Sequence, residues 1–170
     1  MKNKCVFLDR DGVINRERGE YTFKLEDFEI LPGVIEGMKI LKEAGYLLIV
    51  ITNQAGISRG LYTRKDMERC HDFSQKQSGG IIDQIYYSPY HPTVTESIAR
   101  KPDSLMFEKA FAKFDIDPKQ SWMVGDKERD LIPAKKFNMS TVLLSDALKS
   151  DYAIYHKHNF TEVIDVILSN

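Results

Sequence analysis

The stretch "FLDRDGVIN", Phe7 to Asn15, places two aspartates two residues apart directly after the apolar run Cys5, Val6, Phe7 and Leu8. An unbroken apolar run of this length suits a strand buried on both faces of a parallel sheet better than an alternating edge strand. In such sheets ligands bind beyond the carboxyl ends of the strands. Asp9 and Asp11 therefore stand at a ligand site if other strands bring compatible groups to the same edge. The bland alternative is a solvated turn bent at Gly12.

The rest of the chain supplies those strands. Pro32 and Gly33 open, and Gly45 closes, a segment with Val34, Met38 and Leu41 at helical spacing. It leads into "YLLIVITNQ", a second apolar run that stops at Thr52, Asn53 and Gln54. A helix is expected from about Thr63 to Lys76, then a third strand over "IIDQIYY", Ile81 to Tyr87. From Asp103 a helix carries Phe107, Ala110, Phe111 and Phe114 on one face, read as core packing. "SWMVGDKERD", Ser121 to Asp130, runs as a fourth strand into Gly125 and Asp126, and Thr141 to Ser145 is a fifth. Tyr152 to Tyr155 reads as a short edge strand, and Val163, Ile164 and Ile167 mark a final helix. Because a proline inside a helix costs roughly 3 kcal/mol, Pro133 predicts that the helix after Asp126 starts late, near Asp130. Right-handed crossovers make successive strands parallel, so Asp9, Asp11, Thr52, Asn53 and Asp126 share one side of the sheet. The fold expected is α/β, a three-layer Rossmann-like parallel sheet flanked by helices.

With 170 residues and no linker, repeat or low-complexity tract, one domain over 1–170 is expected. The 24 basic and 25 acidic residues leave a formal charge of -1, without the basic excess of a nucleic-acid binder, so a small ligand is favoured. Cys5 and Cys70 make neither a metal spacing nor a disulfide framework and read as reduced core thiols. The first apolar run is too short for a signal peptide, and no stretch approaches the ~20 apolar residues of a membrane span. No membrane partner and a cytoplasmic location follow as expectations.

Three carboxylates crowded at one edge repel unless a cation joins them, and magnesium, which keeps waters and a substrate phosphate, is the economical choice. Lys101 can balance the phosphate's charge while the Thr52 hydroxyl donates to its oxygens. One carboxylate can then attack phosphorus and the other protonate the leaving oxygen. Spacing alone does not say which of Asp9 and Asp11 is the nucleophile.

"FLDRDGVIN", "ITNQAGISRG", "ARKP" and "MVGDKERD", in order from Phe7 to Asp130, resemble the four motifs of the haloacid dehalogenase (HAD) superfamily of phosphohydrolases. "DRDG" with "TNQAGISRG" and "RKP" is similar above all to its subgroup of heptose bisphosphate and histidinol phosphatases. The resemblance implies a HAD-like domain, Asp9 as nucleophile, Asp11 as general acid/base, and Thr52 and Lys101 stabilising the phosphoryl group; the short gaps between the first three motifs leave no room for a large cap domain. It implies magnesium held by Asp9, the backbone carbonyl of Asp11, and Asp126. Asp130 is read as orienting Lys127 or capping the next helix, not as a ligand.

The substrate implied is a small phosphorylated sugar, a heptose 1,7-bisphosphate that loses its 7-phosphate. Histidinol phosphate is the second enzymatic reading, and a catalytically silent phosphosugar-binding protein the non-enzymatic one. Glu17, Arg18 and Gly19, otherwise a solvated charged loop, become a flap over the substrate. Asn53 and Gln54 are either substrate contacts or caps, and Arg100, with Arg18 or Lys127, is suited to a distal phosphate. Relatives in the subgroup often carry a zinc loop, but its ligand positions here are Ser88, Tyr90, Ser97 and Ala99, so no structural zinc is expected and His91 is left to loop packing. A monomer is expected.

Overall fold

Cys5–Leu8 form strand β1, buried along its whole length as the unbroken apolar run requires. The computed structural model describes residues 2–147 and 149–170. After β1 come α1 (Val34–Glu43), β2 (Leu47–Asn53), α2 (Arg64–Ser78), β3 (Gln84–Ser88) and α3 (Leu105–Phe114). The chain continues through β4 (Trp122–Gly125), α4 (Glu128–Lys136), β5 (Ser140–Leu144), β6 (Tyr155–Lys157) and α5 (Phe160–Leu168). All six strands pair in parallel, in the order β3-β2-β1-β4-β5-β6.

Alternate residues of each strand feed opposite layers, which is why the strands read as continuous apolar runs. Val6, Leu8, Leu48, Val50 and Val124 pack with Met38 and Leu41 of α1 and Val163 and Ile167 of α5. Phe7, Ile49, Ile51 and Met123 pack the other face against Phe107 and Ala110 of α3 and Leu131 and Ala134 of α4. The helix face carrying the aromatic residues is therefore core, as read from its spacing.

Strand order reverses at the β1/β4 pair, the chain winding outward through β2 and β3 on one side and through β5 and β6 on the other. The crevice at such a reversal is where α/β sheets bind ligands. Asp9 and Asp11 leave β1 there, and Asp126 leaves β4. Residues 9–33, which join β1 to α1, hold one 3-10 turn at Leu25–Asp27, and Glu17, Gly19, Glu20 and Tyr21 among them border this crevice. Among the described residues no helix is long and apolar enough to cross a membrane.

Three boundaries differ from the sequence reading. β3 begins at Gln84 rather than Ile81, because side chains outside the strand take up the preceding residues: Gln75 clasps both backbone groups of Ile82 at 2.8 and 3.1 Å, and Asp83 pairs with Lys42 at 2.5 Å. The edge strand is Tyr155–Lys157 rather than Tyr152 to Tyr155, since Thr141 Oγ1 donates to the Tyr152 carbonyl and accepts the Ile154 N–H, holding that segment as a bend. α4 starts at Glu128, before Asp130, because Asp130 Oδ2 accepts the Lys127 N–H at 3.1 Å and closes the first turn there. Pro133 then stands inside the helix, where it cannot donate to the Arg129 carbonyl but is buried against the core layer.

Candidate active site

Asp9 is fixed at the end of β1 by its backbone N–H, which donates to the Val124 carbonyl of β4 at 3.0 Å. Lys101, only 1% exposed, reaches in from the loop after β3. Its Nζ donates to Asp9 Oδ1 at 2.8 Å and to the Ile51 carbonyl at 2.7 Å. It also forms an ion pair with Asp130 Oδ1 at 2.8 Å. Asn53 steadies the lysine by bonding both of its backbone groups, Nδ2 to the carbonyl and Oδ1 from the N–H, each at 3.0 Å.

Gly12 makes the close approach of β1's turn to β4 possible. Its φ is +88°, and a Cβ there would stand 2.4 Å from the Asp126 carboxyl. Gly12→Ala is therefore expected to displace Asp126, lowering phosphate release by more than about tenfold, with roughly 1–2 kcal/mol of strain lost from stability. Release assays and thermal melts check this, and wild-type rates would remove the steric argument.

Burial raises the Asp9 carboxyl to about 6 against the pull of Lys101, with Asp130 adding to the rise. Burial raises Asp126 to about 7, and the neighbouring Asp9 and Asp130 carboxylates add to it. Oxygens of Asp9, Asp126 and Asp130 lie within 4.8 Å of one another. Asp126 Oδ1 is buried without a hydrogen-bond partner. A hard divalent cation fits that donor set: it would join mutually repelling carboxylates and use the orphaned oxygen. Asp130 faces Lys101 with one oxygen and the Lys127 N–H with the other, which leaves Asp9 and Asp126 with the spare capacity.

Asp11 lives in the opposite environment. Burial raises it, but Arg10 at 2.8 Å and bonds from Asn15 and Gln54 outweigh burial and hold it below the usual carboxylate range. Arg10, itself buried, spans from Asp11 to the Thr22 carbonyl at 2.6 Å. Two acids two residues apart are thus tuned in opposite directions.

Above these groups opens a cavity of about 550 Å³, floored by Asp9, Asp11, Asn53 and Lys101. Glu17, Gly19 and Lys127 are on its rim, Glu17 paired with Lys127 and Lys127 Nζ 3.5 Å from Asp126 Oδ2. The Thr52 hydroxyl is buried and accepts from Gln54 Nε2 at 2.9 Å, which leaves its own hydrogen to donate. Thr52 and Asp126 lie beside the cavity and not in its lining, and three further residues read from sequence stand elsewhere. Arg18 turns away to Asp27 at 3.0 Å, and Gln54 is buried behind Asp11. Arg100 donates to the Tyr90 carbonyl at 3.0 Å and lines an adjoining cavity.

Glu20, Tyr21, Arg59 and Arg129 line the cavity and were not singled out from sequence. Arg59 and Arg129 were within reach, since both lie inside the quoted motifs "ITNQAGISRG" and "MVGDKERD".

The HAD-hydrolase-like family profile matches residues 98–168. The D-glycero-beta-D-manno-heptose-1,7-bisphosphate 7-phosphatase of Helicobacter pylori is 38% identical, over 97% of this chain and 98% of its own. The D-glycero-alpha-D-manno-heptose-1,7-bisphosphate 7-phosphatase of Burkholderia mallei is 43% identical, over 85% and 80%. The crystal structure of D,D-heptose 1,7-bisphosphate phosphatase from B. bronchiseptica, complexed with magnesium and phosphate, superposes with a TM-score of 0.86 at 25% identity, covering 98% of each chain. With this similarity running through the whole chain and the four motifs meeting at one crevice, the protein belongs to the HAD-like hydrolases, in the family of the heptose-1,7-bisphosphate 7-phosphatases.

Proposed function

We propose that this protein is a magnesium-dependent phosphomonoesterase that removes the 7-phosphate of D-glycero-D-manno-heptose 1,7-bisphosphate and leaves the 1-phosphate in place. The observation that carries the reading is the buried Lys101–Asp9 pair beside Asp126 at the strand-order reversal. Asp9 attacks phosphorus, and the ester oxygen departs with a proton from Asp11, leaving an aspartyl phosphate. Asp11 then takes a proton from water, which attacks the aspartyl phosphate and frees inorganic phosphate and Asp9. In the ligand-free site Asp11 is a carboxylate; a phosphoryl dianion beside it favours the proton it needs as acid. The Thr52 hydroxyl and the Lys101 ammonium hold the phosphoryl oxygens. Asp9, Asp126 and the Asp11 carbonyl would hold magnesium, which would supply positive charge against the repulsion between Asp9 and the phosphoryl group. The chain acts as one domain over 1–170, without structural zinc.

The test is a phosphate-release assay with the heptose bisphosphate, histidinol phosphate and p-nitrophenyl phosphate. Release favouring the bisphosphate and lost on chelation supports the reading. A preference for histidinol phosphate supports the second enzymatic reading, and silence on all three leaves only a binding protein.

A bisphosphate needs a second cationic contact at the rim, and Arg59 and Arg129 line the cavity with Arg100 close behind. Arg59→Ala and Arg129→Ala are each expected to lower kcat/KM for the bisphosphate about tenfold, and for p-nitrophenyl phosphate less than about threefold. Equal losses on both substrates would remove the distal-phosphate role.

The raised carboxyls give a sign to the pH dependence. Asp9 and Asp126 bind protons more tightly in the folded chain, so without metal they favour the fold at low pH. Their contribution is lost as pH rises from the ordinary carboxylate range through about 6 and about 7. Magnesium competes with those protons. Saturating magnesium should raise the melting temperature by about 5 °C or more near about pH 7.5, and by less near about pH 5. A larger rise at the lower pH would contradict the assignment.

A further inference from the structure

Behind the catalytic floor, one buried amide touches both groups that must be aligned. Gln54, 1% exposed, donates from Nε2 to Asp11 Oδ2 at 3.1 Å and to Thr52 Oγ1 at 2.9 Å. Its Oε1 accepts from the Tyr62 hydroxyl at 2.7 Å. A carboxylate accepts hydrogen bonds only, so the amide must present its nitrogen to Asp11 and its oxygen away from it. That oxygen then needs a donor, and Tyr62 is the one in place.

Tyr62 is itself held firmly. Its ring stacks on Phe23 at 4.9 Å and meets Tyr21 at 5.8 Å, both from the loop over the crevice. Gly56 leaves room for it, since a Cβ there would stand 2.2 Å from Tyr62 Cε1. The ring is nearly buried and outside the cavity lining, and its hydroxyl is turned to Gln54.

We propose that Tyr62, acting through Gln54, is a positioning residue that fixes the Asp11 carboxyl and the Thr52 hydroxyl together. Without the phenol hydroxyl Oε1 loses its donor, so the amide is held only through Nε2 and can tilt, releasing both groups from their shared orientation. The proposal rests on the phosphatase reading.

The experiment compares wild type, Tyr62→Phe, Gln54→Leu and the double variant on the heptose bisphosphate with magnesium. Tyr62→Phe keeps the ring stack, so its melting temperature should stay close to wild type. Its kcat should fall about tenfold while KM changes less than about twofold, as expected when alignment of a general acid/base is lost rather than binding. In the Gln54→Leu background the same substitution should cost no further rate, because the amide oxygen that the hydroxyl anchors is gone. If Gln54→Leu does not fold, Gln54→Met takes its place in the cycle. A Tyr62→Phe variant with wild-type kcat, a change confined to KM, or additive losses in the cycle would overturn the proposal. Wild-type protein that releases no phosphate would overturn the phosphatase reading and this proposal with it.

Discussion

Asp9→Asn is expected to reduce phosphate release more than about 10³-fold, since a residue that forms the covalent intermediate has no substitute in the site. The same protein should melt no lower than wild type in metal-free buffer near about pH 7.5. That second expectation follows from burial: the Asp9 carboxyl sits at about 6 in spite of Lys101, so its charged form is disfavoured by the fold. An amide of the same size removes that charge, and its oxygen can still accept from Lys101 Nζ. Lys101 keeps Asp130 and the Ile51 carbonyl as partners. The checks are a release assay and a melt of the metal-free variant. Turnover near wild type would refute covalent catalysis through Asp9, and a large fall in melting temperature would refute the electrostatic account of the site.

What the sequence revealed, and what it hid, divides along physical lines. Strands buried on both faces announce themselves as apolar runs, so β1, β2, β4 and β5 were legible, and with parallel crossovers so was the approach of Asp9 to Asp126. β3 and β6 were misplaced by a few residues. Their limits are set by side chains far along the chain, Gln75 and Thr141, and no local pattern records those bonds. α4 starts earlier than Pro133 alone predicts, because the Asp130 side chain closes the first turn on the Lys127 N–H.

The same distinction holds within the site. Residues at strand ends could be placed, whereas orientation within loops could not. Arg18 and Gln54 sit in the right segments but point to Asp27 and to Asp11. Glu20 and Tyr21 line the cavity from a loop whose charges read equally well as a solvated surface. Arg10, between the two aspartates of "DRDG", looks from sequence like a spacer. Only its burial and its bonds to Asp11 and Thr22 reveal that it sets the Asp11 charge.

Lys101→Ala should damage fold and catalysis together, in contrast to Asp9→Asn. Truncation removes the cation that faces two buried carboxylates, Asp9 and Asp130, and leaves the Ile51 carbonyl without its donor. Breaking a buried ion pair from one side costs about 3–5 kcal/mol, which for a domain of this size lowers the melting temperature by roughly 10 °C. Phosphate release should fall more than about 10²-fold, the usual cost of losing one preorganised donor to a developing charge. The stability loss should depend on pH in a definite direction. Near about pH 5 Asp9 is already largely protonated and needs no cation, so the variant should lie closer to wild type there than near about pH 7.5. Magnesium at the higher pH should recover part of the difference by supplying charge beside Asp9, without restoring turnover. Melts at the two pH values, with and without magnesium, decide it. An equal loss at both would mean that Lys101 holds the fold by packing, and that the Asp9–Lys101–Asp130 cluster is not the electrostatic centre of the site.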